Sequence, residues 1–216
     1  MESPQFSFGS AAVAARYDET APRLVPGYQE VLAAIPSLFP SATRLLVVGC
    51  GTGREIDVLR GEGRRIVGVD PAQAMLDVAR ERFGGDRSVQ LLWGEVDNLA
   101  PDDEFDGATC LLVGHFLADK VRLWRSIRRH LATGSVLMTA DFCSDDVPAD
   151  RDAWIHMLTE NGLPPAFIEN ERQVFDQKFN ISSCAAYLEG LTEAGFDEVT
   201  VLARHHWTTV VTARVS

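Results

Sequence analysis

The stretch Leu45-Leu46-Val47-Val48-Gly49-Cys50-Gly51-Thr52-Gly53 is an apolar run that breaks into three glycines at alternate positions. It reads as a buried strand feeding a loop. Alternate glycines remove the side chains that would hold the backbone away from a ligand, and they permit backbone angles closed to other residues. The loop can therefore touch what it holds.

Residues 54–61 follow as a helix, carrying Ile56, Val58 and Leu59, and the unpaired N–H groups at its start point back toward the loop. A second buried strand, 65–69, ends in the carboxylate of Asp70. An acidic residue about 20 positions past such a loop is placed to accept hydrogen bonds from ribose hydroxyls. A ribose-containing ligand is the expectation.

The nicotinamide and flavin fingerprint spaces its glycines as G-x-G-x-x-G/A. Here they fall at 49, 51 and 53, and the bulky Arg54 stands at the third-glycine position. The form VVGCGTG followed by VGVDPAQAML instead resembles motif I of the class I S-adenosylmethionine-dependent methyltransferases. The resemblance runs along nearly the whole chain, to the turn Glu193-Ala194-Gly195-Phe196.

Size and charge narrow the partners. At 216 residues the chain is most simply a single domain over 1–216, with a well-buried core. Its formal charge of −11 argues against nucleic acid, which is held by many phosphate-facing Lys and Arg side chains, and for a small substrate. The basic cluster Arg122, Arg125, Arg128 and Arg129 reads as the outer face of a helix over 118–131, with Val121, Trp124, Ile127 and Leu131 inside. The four cysteines, Cys50, Cys110, Cys143 and Cys184, show no paired spacing, so neither a metal site nor a disulfide framework is expected. The apolar run 11–15 is closed by Arg16 and is too short for a secretory segment, and no stretch is long enough to span a bilayer. A cytoplasmic protein without membrane contact is the expectation; a homodimer is left open.

From Arg44 onward, short β-branched runs alternate with helical patterns. Strands are expected near 44–48, 65–69, 88–93, 107–113 and 135–140, with helices at 54–61, 72–83 and 118–131. Such alternation implies an α/β fold with a parallel sheet covered on both faces. In the second helix Ala72, Met75, Leu76, Ala79 and Phe83 share one stripe, and Pro71 suits its start. Residues 143–181 break the rhythm with Pro148, Pro164 and Pro165 and read as an irregular insertion, too apolar for a disordered linker. Ser182 or Ser183 then caps a final helix that Gly195 ends, and strands near 198–203 and 207–214 form a hairpin. Four parts result: an N-terminal helical cap (1–40), a cofactor-binding core (44–142), a substrate lid (143–181), and a closing helix and hairpin (182–216).

The resemblance implies a Rossmann-like fold, a seven-stranded, mostly parallel sheet with its last strand antiparallel and helices on both faces. It also implies S-adenosylmethionine as cofactor. On that reading Gly49, Cys50, Gly51 and Gly53 cradle the methionine and ribose portions, and Asp70, followed by Pro71, takes the ribose hydroxyls. Met75 lies against the adenine, and Glu95 and Val96 read its edge. Leu112 and Val113, at the end of the fourth strand, reach the sulfonium, and Tyr17 lines the site from the N-terminal helix. The family usually carries an acid two positions before the first glycine, where this chain has Val47; Glu55 is a candidate substitute.

Methyl transfer is an in-line displacement at an already activated carbon, so alignment and exclusion of water are the main tasks. A base is needed only when the acceptor must lose a proton. His115 is the first candidate, since it follows the fourth strand and its unperturbed pKa is near neutrality, and Asp141 is the second. The insertion carries Trp154 and His156, while His130, His205 and His206 read as structural or exposed. The expected acceptor is a small, partly apolar, neutral or cationic molecule, methylated on oxygen or nitrogen. Two alternatives stay open. Residues 13–28 also resemble the N-terminal segment of carboxy-S-adenosylmethionine synthase, and a non-catalytic cofactor-binding protein would tolerate Val47.

Overall fold

The computed structural model describes residues 9–216, so the first eight residues of the expected N-terminal cap lie outside it. Seven strands form one sheet: β1 (Arg44–Val48), β2 (Arg65–Asp70), β3 (Val89–Trp93), β4 (Phe105–Leu111), β5 (Leu131–Phe142), β6 (Asp197–His205) and β7 (Thr208–Arg214). Their order across the sheet is β3-β2-β1-β4-β5-β7-β6. All neighbouring pairs from β3 to β5 are parallel, and β7 runs antiparallel to both β5 and β6. The short turn at His206 and Trp207 reverses the chain after β6 and slots β7 against β5.

Alternation along β1 sorts the core into two faces. Leu45 and Val47 pack on one side with α3 (Tyr28–Leu38), α4 (Arg54–Leu59) and α5 (Gln73–Phe83), through residues such as Ile35, Ile56, Leu76 and Phe83. Leu46 and Val48 pack on the other with α6 (Lys120–Arg128) and α9 (Cys184–Glu193), through Trp124, Ile127, Tyr187 and Leu191. A central strand buried on both sides must be apolar wherever it is buried, as Leu45 to Val48 are here, with Arg44 at the partly exposed start. Because β1 pairs β2 on one side and β4 on the other, the chain switches direction there and opens a crevice at the carboxyl ends of these strands.

Residues 143–181, expected to be irregular, instead hold two 14-residue helices, α7 (Val147–Glu160) and α8 (Pro165–Lys178). Their prolines start helices rather than break them: Pro148 and Pro165 sit in the first turns, where a missing N–H has no intrahelical partner to lose. The helix after β2 begins at Gln73, so Pro71 precedes its N-cap residue, Ala72. The segment before β1 adds α1 (Ala11–Ala14) and α2 (Tyr17–Leu24) to α3. It is fastened to the insertion at two places. The Trp154 indole N–H donates to the Leu24 carbonyl at 2.7 Å, and Arg23 and Asn161 exchange side-chain-to-carbonyl bonds. Ser183 caps α9 by accepting from Ala186 N, and Gly195 takes a positive φ just beyond it.

Candidate cofactor cavity and reactive edge

A cavity of about 460 Å³ opens at the carboxyl ends of β1, β2 and β4. Ten of the residues expected at a cofactor line it: Tyr17, Gly49, Gly51, Asp70, Pro71, Met75, Glu95, Val96, Leu112 and Val113. Cys50, Gly53 and Glu55 do not.

Gly49, Gly51 and Gly53 all have positive φ, at 70°, 52° and 88°. Their demands differ. A Cβ at Gly49 would lie 2.3 Å from a Val113 methyl, and one at Gly53 the same distance from the Phe83 ring, so both are fixed by packing as well as by φ. A Cβ at Gly51 would meet nothing within 4 Å, and that residue is in the cavity wall. Its bare backbone leaves the room a ligand needs. Asp70 ties this loop to the end of β2: one carboxylate oxygen accepts from Gly51 N and the other from Ala72 N, both at 2.8 Å. Burial pushes its carboxyl pKa up, and the two N–H donors pull it back. Each oxygen keeps a lone pair for a further donor.

Around the rest of the wall, Met75 packs with Ala14 and Ala72. Glu95 and Asn98 form a reciprocal cap that fixes the turn carrying the buried Val96. Asp18, next to Tyr17, accepts from Thr52 of the glycine loop and pairs with Arg82 of α5, which holds α2 beside the cavity. Leu112 has φ +59°, a strained backbone for a leucine, and lines the cavity beside the end of β4. One stretch of wall was not foreseen. Phe116, Leu117, Ala118, Asp119, Arg122, Leu123 and Ser126 contribute, bringing in a side of α6 that hydrophobic patterning assigns to solvent. Arg122 is mostly exposed and pairs with Asp97.

His115 and Asp141 are brought together, one layer behind that wall. The imidazole Nδ1 lies 2.6 Å from one Asp141 oxygen, which also accepts from Phe142 N; the other oxygen accepts from His115 N. With both oxygens already acceptors, the carboxylate orients the ring with a proton on Nδ1. Gly114 makes room, because a Cβ there would sit 2.6 Å from the Asp141 carboxylate. Phe116, Phe142 and Phe179 enclose the ring at centroid distances of 4.0, 4.9 and 4.4 Å. Phe116 belongs both to this aromatic nest and to the cavity wall. Trp154 is buried, His156 is exposed beside Glu160, and His130 is buried against the Asp103 carbonyl.

Residues 46–139 match the family model of a methyltransferase domain. With the sheet order and the cavity, this match makes the chain similar, over that segment and in its fold, to the class I S-adenosylmethionine-dependent methyltransferases. Among curated relatives, the cypemycin N-terminal methyltransferase of a Streptomyces species is 36% identical over 62% of this chain and 56% of its own length. The carboxy-S-adenosyl-L-methionine synthase of Hydrogenovibrio crunogenus is 24% identical over 89% of this chain and 82% of its own. Among solved structures, an S-adenosylmethionine-dependent methyltransferase of Thermotoga maritima shares the fold with a TM-score of 0.69 at 21% identity, covering 95% of this chain and 97% of its own. The chain spans about half the length of the curated relatives that it matches at more than 30% identity. Among the described residues, no helix is long and apolar enough to cross a membrane.

Proposed function

We propose that this protein binds S-adenosylmethionine in the 460 Å³ cavity and transfers its methyl group to a small, partly apolar acceptor on oxygen or nitrogen. The observation that carries this reading is the meeting of Gly51, Asp70, Met75 and Val96 in one wall with the strained Leu112 at the end of β4. The volume lies within the range of small-ligand and cofactor sites. When bound, the cofactor supplies a methyl carbon activated by positive sulfur.

Asp70 holds the ribose hydroxyls while keeping the loop in place. Met75 and Val96 flank the adenine. The apolar run of Leu111, Leu112, Val113 and Phe116 excludes water from the reacting end, so that alignment rather than proton transfer dominates the barrier. His115, held by Asp141 behind the Phe116 ring and outside the cavity wall, backs the reacting end without reaching the acceptor, so neither residue is retained as a base. The N-terminal cap, which puts Tyr17 into the cavity wall, belongs to the same single domain as the α7–α8 insertion, to which Trp154 and Arg23 join it.

Carboxy-S-adenosylmethionine synthase chemistry is the second reading, favoured by similarity over most of the chain. It needs a cation to hold the added carboxylate. Among the described residues, Arg122 is the only arginine or lysine in the cavity wall, and Asp97 already pairs with it. Incubation with S-adenosylmethionine, a panel of small amines, phenols and acids, and separately prephenate, followed by mass analysis, tests both. A methylated acceptor with S-adenosylhomocysteine supports the first reading. A carboxylated cofactor formed with prephenate replaces it with the second, and cofactor binding without turnover of any acceptor favours a sensor.

A further inference from the structure

The parallel part of the sheet ends at β3, so one side of Val89–Trp93 has no neighbouring strand. The bonds to β2 use Ser88, whose carbonyl accepts from Ile66 N at 2.8 Å, and Gly94, whose N–H donates to the Asp70 carbonyl at 3.0 Å. Strand residues alternate in direction, so the main-chain groups of Val89, Leu91 and Trp93 face outward. Val89 N donates to the Asp86 carbonyl at 3.2 Å, which leaves the Val89 carbonyl and both groups of Leu91 and Trp93. Such a row of unpaired groups is a template for another strand.

The strand carries none of the usual protection. Natural edges are blunted by charges, prolines or bulges, and Val89-Gln90-Leu91-Leu92-Trp93 has none of these. The opposite edge, β6, is broken by register shifts between Asp197 and Thr200 and between Val201 and Ala203, and it carries Asp197, Glu198 and Arg204. Trp93 is 62% exposed, the most of any large apolar side chain described, and its indole N–H donates to the Pro71 carbonyl, which pins the ring at the edge.

Charge selects the partner. Arg87 and Glu95 stand four residues before and four after Leu91; both are exposed, and neither forms an ion pair among the described residues. A twofold axis at Leu91 sets β3 antiparallel to its own copy, with Leu91 opposite the partner's Leu91, Val89 opposite the partner's Trp93, and Arg87 opposite the partner's Glu95. That register bonds Leu91 N–H and carbonyl reciprocally and gives the Trp93 N–H the Val89 carbonyl, the groups that β2 leaves outward. It also sets an aromatic ring against a β-branched side chain, a favourable cross-strand pair.

We propose that β3 is the docking edge for a second copy of this chain, in an isologous dimer whose sheet runs through both protomers. Glu95 lines the cofactor cavity, so the partner's Arg87 reaches the rim of that site.

Analytical ultracentrifugation of the full chain, from about one to a few hundred micromolar, tests this. The mass should rise from the 23.7 kDa of one chain toward twice that value. Arg87→Glu, which opposes like charges at both ends of the strand pair, and separately Trp93→Lys should each raise the dissociation constant roughly tenfold or more. Both positions are exposed, so the fold should persist, and a thermal melt checks it. Glu95→Arg alone should weaken the dimer likewise, while an equimolar mixture of Arg87→Glu and Glu95→Arg should recover it, since every contact then joins opposite charges. Amide exchange of Leu91 and Trp93 should slow as concentration rises. A monomer at every concentration overturns the proposal. So does a dimer that keeps its affinity in Arg87→Glu and Trp93→Lys, or one whose concentration-dependent protection falls on β6.

Discussion

Replacing Asp70 separates ribose binding from loop support. Its two oxygens fix Gly51 N and Ala72 N at 2.8 Å before any ligand arrives. Asp70→Asn keeps one acceptor oxygen but turns the other position into a donor, which faces an N–H and cannot bond it. A hydrogen bond to a charged group contributes about 1.5–3 kcal/mol, so Asp70→Asn should weaken cofactor binding by at least about 1.5 kcal/mol, roughly tenfold. Asp70→Ala, which loses both loop contacts and both ribose contacts, should weaken it further, toward a hundredfold. The assay is calorimetry with S-adenosylhomocysteine, alongside the melting temperature of the ligand-free variant to register the loop contribution. An analogue lacking both ribose hydroxyls should bind the unaltered protein and the variants with much smaller differences. Unchanged affinity in Asp70→Asn, or an equal loss with that analogue, would refute the ribose assignment.

Gly51→Ala should cost only about 1 kcal/mol of stability, from its positive φ, yet reduce cofactor affinity more than tenfold because the new methyl enters the cavity. Gly49→Ala, whose Cβ would strike Val113, should lower the melting temperature clearly more than Gly51→Ala does. Asp141→Asn should destabilise the fold by about 2 kcal/mol, read by denaturant unfolding, with cofactor affinity within about twofold of the parent. Stability should fall as pH rises from about 5 to 8, because the Glu55 carboxyl titrates near 8 when folded and near 4.5 when unfolded, so the unfolded state gives up its proton first. The full span is on the order of 4 kcal/mol, and denaturant unfolding of Glu55→Gln should lack most of it.

Much of this was legible in the chain because it rests on local pattern. The alternation of Leu45 to Val48, the glycine phases and the position of Asp70 all belong to a central strand and its loop, where burial on both faces and close backbone approach leave little choice of residue. The hairpin and the Ser183 cap are equally local. The insertion was not legible, since Pro148, Pro164 and Pro165 look like breaks until Pro148 and Pro165 are seen in first helical turns and Pro164 at an N-cap. The share of α6 in the cavity also escaped, because Leu123 and Ser126 border a ligand space rather than solvent, and hydrophobic patterning does not distinguish the two. The His115–Asp141 contact joins residues 26 apart on neighbouring strand ends, and only the β4–β5 register brings them together. The Thr109–Glu55 bond depends likewise on how α4 packs against β4, which neither residue announces alone.

The most direct measurement is a crystal structure with S-adenosylhomocysteine bound. The account predicts the ribose hydroxyls on Asp70, the adenine between Met75 and Val96, and the sulfur facing Leu112 and Phe116. A nucleoside lying elsewhere on the molecule, or bound in this cavity with its ribose away from Asp70, would contradict it.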